Sequence, residues 1–191
     1  KGDYSSEVAV LAAAGGDAVA VIGYLDQGGK GIIQGSLDSG AFDTFILSDG
    51  MIGQSLVDAF GKDLSKSFGS LPGSTGKGAG VFATVAKAAG IDSSGPYTGE
   101  SYDAAALIVL AIQAGGSADR GSIAKNVMAV ANGPGKKIYP GQLKKALNLL
   151  AKGKAVDYEG ATAVNFTDVG EAVGSFLEKE VKGGKFKTKK Q

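Results

Sequence analysis

The sequence contains no cysteine and no histidine. The first absence excludes disulfides, thiolate metal sites and thiol nucleophiles, and the second removes the commonest general base and metal ligand. Long apolar runs are missing too: Ala104 to Ile112 is about nine residues, far short of the roughly 20 that cross a bilayer. Charge of one sign is not in excess, since 20 Lys and Arg against 19 Asp and Glu leave a net +1, which demands no nucleic-acid partner. The chain opens on Lys1 with no charged or apolar leader before it, so a processed, trimmed or partial chain is expected, any signal peptide having been removed.

What is present is an ordinary globular balance over 191 residues, 43% apolar and 20% charged, enough to build a packed core. Glycine is the excess: 32 residues, with no three-residue period, so collagen is excluded.

Periodicity organises the first part of the chain. Val8, Leu11 and Ala12 share a helical face, the Gly15-Gly16 break follows, and Ala18 to Ile22 reads as a short buried strand. Ile33 and Leu37 continue a helical face ending near Gly40. Phe45 to Leu47 reads as a second buried strand, stopping at Ser48-Asp49-Gly50. Leu56 and Phe60 mark a short helix closed by Gly61, and Ser67 to Leu71 a third strand before the breaker cluster Pro72-Gly73-Ser74-Thr75-Gly76, where a lobe boundary is expected. Short buried strands alternating with helices predict an α/β, doubly wound parallel sheet.

Beyond that boundary the chain is helix-rich. Val81, Val85 and Ala88 share one face, Asp103 to Gln113 is apolar nearly all round and is expected to be fully buried, and Ile123, Val127 and Val130 share another face. Leu143, Leu147 and Leu150 repeat the spacing after Pro140. Ala161 to Phe166 and Ser175 to Val181 read as late strands around a turn at Asp168 to Gly170. The central stretch shows almost no strand of its own, so its helices need a sheet from residues outside this chain. The basic tail Lys182 to Gln191 is expected to fray.

The glycines invite comparison with phosphate loops, and the comparison fails. Gly29-Lys30 and Gly76-Lys77 lack the earlier glycine of G-x-x-x-x-G-K-[ST], which Tyr24 and Leu71 replace, and Gly31 and Gly78 stand where Ser or Thr is needed. In Gly76-Lys77-Gly78-Ala79-Gly80, Val81 falls on the third glycine of G-x-G-x-x-G. Asn165-Phe166-Thr167 fits a glycosylation acceptor but sits in a late strand. With Asp, Glu, Lys, Ser and Tyr alone, no spacing assembles a catalytic set, so an α/β enzyme is unmotivated.

Asp49 follows a predicted strand and precedes Gly50 and a helix, which puts its carboxylate at the carboxyl edge of a parallel sheet, where ligands of open α/β sheets bind. Two readings stand side by side: acceptance of charge-assisted hydrogen bonds from a ligand ammonium, and capping of the following helix. Tyr24 lies at the same edge beyond the other strand, either facing a ligand or packing on a neighbouring helix. Gly95-Pro96-Tyr97 opens the apolar helix, with Tyr102 one turn inward and expected in the core. Tyrosines with one carboxylate make a box suited to a small cation-bearing ligand.

Several of these segments together carry a family resemblance: Asp3-Tyr4-Ser5-Ser6-Glu7-Val8, Val21-Ile22-Gly23-Tyr24, Gly40 to Met51, Gly95-Pro96-Tyr97, Ser101-Tyr102-Asp103-Ala104-Ala105-Ala106-Leu107, Ile138-Tyr139-Pro140-Gly141 and Asp157-Tyr158-Glu159-Gly160-Ala161. In this order they resemble the periplasmic branched-chain amino-acid-binding proteins of ABC transporters. The resemblance implies a type I periplasmic-binding fold, two doubly wound lobes with parallel sheets joined by a three-crossing hinge, which close on a ligand without chemistry and without a cofactor.

It further implies that this chain is the C-terminal half only. Residues 1–72 then belong to the second lobe, lacking its first strand and helix, 73–170 to the later part of the first lobe, and 171–191 to the return into the second lobe and a basic tail. The implied partners are a Leu, Ile, Val or other small amino acid, a membrane permease and the missing N-terminal half of the same protein, in the bacterial periplasm. Asp49 matches the family's acidic residue for the ligand ammonium, Glu in some members, and Tyr97 the aromatic of the Gly-Pro-Tyr corner. Tyr24 is followed by Leu25, so the aromatic place at that loop falls to one or the other. The groups for the ligand carboxylate are implied to lie in the absent part. A ligand-sensing regulatory domain of the same fold is the alternative reading.

Overall fold

The computed structural model describes residues 2–73 and 76–189. Ser74 and Thr75 of the breaker cluster, and Lys190 and Gln191 of the tail, lie outside the described residues. Among the described residues the elements run α1 (Ser5–Ala14), β1 (Val19–Val21), α2 (Lys30–Ser39), β2 (Phe45–Leu47), α3 (Gln54–Phe60), β3 (Phe68–Pro72), α4 (Lys77–Ala88), α5 (Thr98–Gly115), α6 (Arg120–Asn132), β4 (Lys136–Ile138), α7 (Leu143–Leu150), β5 (Val156–Tyr158), β6 (Asn165–Phe166), β7 (Ala172–Val173), β8 (Phe176–Val181) and β9 (Phe186–Thr188). The chain divides into two compact units, Lys1–Leu71 with Phe176–Gln191, and Pro72–Ser175.

In the first unit the strands follow the order β1-β2-β3-β8-β9. β1, β2 and β3 are parallel, in register Val19 with Phe45, Ala20 with Ile46 and Ile46 with Phe68. β2 enters the sheet with help from a buried hydroxyl: the Phe45 N–H donates to Ser67 Oγ at 3.1 Å. α2 ends where the periodicity predicts, because Gly40 adopts the left-handed conformation that closes a helix. Ile33 of α2 and Leu56 and Val57 of α3 pack with Val19, Val21, Phe45 and Leu47 on one face of the sheet.

The strands predicted as buried are buried on that face alone. Ile46 and Phe68, each 41% exposed, and Ala20 stand side by side on the other face. The tail also departs from expectation: from Lys182 it bends back and forms β9, antiparallel to β8 with Val181 opposite Phe186, and a Lys189–Glu178 ion pair at 2.9 Å adds a contact.

The second unit is built on helices. α5, α6 and α7 enclose a core of Ala106, Leu107, Leu110, Val130, Ala131 and Ala146 with Ile138, Val156 and Tyr158. Here four expectations are corrected. The stretch does hold strands, the parallel pair β4 and β5, whose three-residue lengths are too short to show a period. The late hairpin is β6 with β7, while Ala161 to Ala163 forms a turn and β8 joins the other unit's sheet. α5 is not buried all round: its inward face holds Ala106, Leu107, Leu110 and Ala111, while Ile108 and Val109 are 47% and 41% exposed. On α4 the inward residues are Gly78, Phe82 and Ala86, with Val81 and Val85 at the flank and Ala88 outside.

Candidate functional site at the carboxyl edge of the first sheet

β1 and β2 end side by side, and one serine clasps their ends together. The Ser48 N–H donates to the Val21 carbonyl at 3.2 Å, the Gly23 N–H donates to Ser48 Oγ at 3.2 Å, and the Ser48 hydroxyl donates back to the Gly23 carbonyl at 3.3 Å. This clasp fixes the chain on either side of it, so Tyr24 and Asp49 leave the same edge of the sheet as neighbours.

Asp49 is half-buried and opens a 3₁₀ turn, Asp49–Met51, while the N-cap of α3 is Gly53. Capping of the following helix is therefore not its role. Its Oδ1 accepts the Gly50 N–H at 2.7 Å, its one hydrogen-bond partner among the described residues. A carboxylate has about four acceptor positions over two oxygens, so most of its capacity remains for an incoming donor. Tyr24 is 61% exposed. A Cβ on Gly50 would stand 2.8 Å from Tyr24 Cδ1 and 2.4 Å from the Gly23 carbonyl oxygen, so the ring lies flush against the turn that carries Asp49, and only glycine fits there. Leu25 turns the other way, partly buried against the first unit's core and close to Gly53. Of the two candidates at this loop, the tyrosine stands at the open edge and the leucine fills the core.

Tyr97 lies in the second unit, 38% exposed. It adopts φ +60°, a left-handed conformation uncommon for a tyrosine, and its carbonyl accepts the Ser101 N–H at 2.9 Å as α5 begins. Backbone of this kind persists only where the surroundings hold it. Tyr102, expected in the core, is half-buried at its border, its ring 5.3 Å from that of Phe82 and its hydroxyl accepting the Gly141 N–H at 2.8 Å.

The group that sequence reasoning missed is Asp103. It is 2% exposed and accepts four hydrogen bonds at 2.8 Å, from the Tyr158 hydroxyl and Ala161 N–H on Oδ1 and from the Thr162 N–H and hydroxyl on Oδ2. The segments Ser101 to Leu107 and Asp157 to Ala161 are thus two sides of one contact. Gly160, at φ +57°, passes so close that a Cβ would sit 2.4 Å from Asp103 Oδ1. Burial, together with the nearby Asp103 charge, pushes the Tyr158 hydroxyl well above the usual tyrosine range. The signal was an acid at the head of a long apolar run, which must find donors if it is inside. Gly78 is likewise structural, since a Cβ there would strike the Gly160 carbonyl. Lys77 lies 4.7 Å from the centre of the Tyr139 ring, a cation–π contact rather than a phosphate hook.

Among the described residues no group of three or more acidic side chains could hold a metal ion, and no helix is long and apolar enough to cross a membrane.

No known family model matches the chain. The chemotactic signal transduction system substrate-binding protein BasB of Halobacterium salinarum is 36% identical over 83 residues, covering 43% of this chain and 20% of that protein. Among solved structures, the leucine-binding protein LivK of Thermotoga maritima superposes with a TM-score of 0.70 at 20% identity, over 100% of this chain and 48% of its own. A type 1 periplasmic binding protein of Bordetella pertussis gives 0.67 at 19% identity, over 99% and 50%. A branched-chain amino-acid ABC transporter protein of Thermus thermophilus with bound valine gives 0.61 at 15% identity, over 98% and 48%. The chain has the α/β, type I periplasmic-binding-protein fold and spans about half the length of these structures.

Proposed function

We propose that this chain is part of an amino-acid receptor serving a membrane permease of the ABC type outside the cytoplasm, its two units belonging to two lobes of the fold. The observation that carries the reading is the pairing, at the carboxyl ends of two parallel strands, of a carboxylate with one internal donor and an exposed tyrosine ring beside it. Asp49 Oδ2 accepts the ligand's α-ammonium, and the Tyr24 face covers it, the ring quadrupole favouring a cation. Tyr97 is assigned as a second aromatic contact, the strained backbone at its position supporting a role beyond packing. Leu25 is assigned to the core. The Thermus protein's bound valine and the LivK name support an amino acid as the ligand class.

A second reading has its own support: BasB is named for chemotactic signalling, and in that reading the same capture is coupled to a transducer rather than to import. Loss of leucine uptake on deleting the gene indicates import, whereas loss of the swimming response to leucine indicates sensing.

A thermal-shift comparison tests the ligand class. At saturating concentration leucine or valine raises the melting temperature by about 5 °C, and isocaproate, which is leucine without its ammonium group, does not. Equal shifts from both, or no shift from any amino acid, contradict the reading.

A further inference from the structure

The net charge of +1 hides a second strongly basic stretch besides the tail. From Lys136 to Lys154 the sequence holds six lysines and no acidic residue. All six are exposed. Lys137 is neutralised by Glu159 and, at 3.9 Å, approached by Asp157. Lys136, Lys144, Lys145, Lys152 and Lys154 have no ion pair among the described residues. α7 turns Ala146, Leu147 and Leu150 inward, so Lys144, Lys145 and, two residues past its end, Lys152 follow its outer side.

Helix stability does not explain this arrangement. Lys144 and Lys145 occupy the first turn of α7, which has no acidic residue, so two cations sit at the positive end of the helix dipole, where acids are favoured. Packing does not explain it either, since the side chains are exposed. Lysine ammonium groups are mobile point charges without the planar fork of arginine. Several of them close together in the chain, exposed and without an ion pair among the described residues, suit a diffuse anionic surface better than a geometrically defined acidic site.

We propose that the outer side of α7, with Lys136 and Lys154 at its flanks, is an adsorption surface for anionic lipid headgroups, holding the protein close to the bilayer. The inference is independent of the ligand reading, because it requires neither Asp49 nor an amino acid. A lysine near an anionic bilayer contributes about 1 kcal/mol, roughly fivefold in partitioning, and the effect is screened by salt.

The test is cosedimentation of the whole chain with vesicles of phosphatidylglycerol and phosphatidylcholine in equal parts, against vesicles of phosphatidylcholine alone. Binding to the anionic vesicles only, falling as salt is raised, is expected. The combined Lys144→Gln, Lys145→Gln and Lys152→Gln variant then binds about a hundredfold more weakly with an unchanged circular-dichroism spectrum. Equal binding by the variant overturns the proposal, as does absence of binding at low salt. Retention on polyglutamate without vesicle binding overturns it in favour of an acidic protein partner.

Discussion

The first unit carries an aspartate at the open edge of its sheet and the second carries one inside its longest helix, and the two are used in opposite ways. Asp103 is 2% exposed and takes four donors from Tyr158, Ala161 and Thr162. Asp49 is half-buried and takes one, from its own neighbour. The difference separates a carboxylate that holds structure from one with acceptor capacity to spare. A buried acid must spend every lone pair internally, because an unmet one costs free energy. A half-buried acid at a strand end carries no such demand, and its unused acceptors face whatever arrives.

The largest effect that can break this comparison is expected at Asp103. Asp103→Ala leaves the Tyr158 and Thr162 hydroxyls and two backbone amides without their acceptor, and a loss of about 4 kcal/mol is expected in urea unfolding followed by circular dichroism. A loss under about 1 kcal/mol removes the structural assignment.

Tyr158→Phe sharpens the same point through pH. The folded state raises the pKa of this hydroxyl, so its contribution is complete below the unfolded tyrosine value of about 10 and is lost as pH rises above it. At neutral pH the variant loses about 1 kcal/mol, the worth of one hydrogen bond. Above pH 10 its stability falls less steeply than that of the parent, by about 1.4 kcal/mol per pH unit. Identical alkaline slopes contradict the raised value. The smallest stability effect belongs to Asp49→Asn, which keeps an acceptor for the Gly50 N–H and changes unfolding by no more than about 0.5 kcal/mol.

Much of the first unit is legible in the sequence because its elements are local. Val19 to Val21 and Phe45 to Leu47 are apolar runs bounded by turn residues, and Gly40 and Gly61 end the helices before them and after them. The candidate edge is legible for the same reason, since a strand end is visible in the chain. The Ser48 clasp is not, because it joins residues 25 positions apart. The second unit is less readable. β4 and β5 have three residues each, with lysines in one and an aspartate in the other, and become strands only by pairing across 20 positions. Asp103 looks like the polar border of an apolar run until Tyr158 and Thr162, more than 50 positions away, close over it. Tyr24 and Leu25 are equivalent by position, and only the packing of Leu25 against Gly53 and the core decides which is exposed.

The most direct test of the central assignment is calorimetric titration of leucine into the parent chain and into Asp49→Asn. Binding weakened by about ten- to a hundredfold, at an unchanged melting temperature, is the outcome expected when the lost charge had been taking the ligand's ammonium. Leucine bound equally well by both proteins would contradict it and leave Asp49 as a turn residue alone.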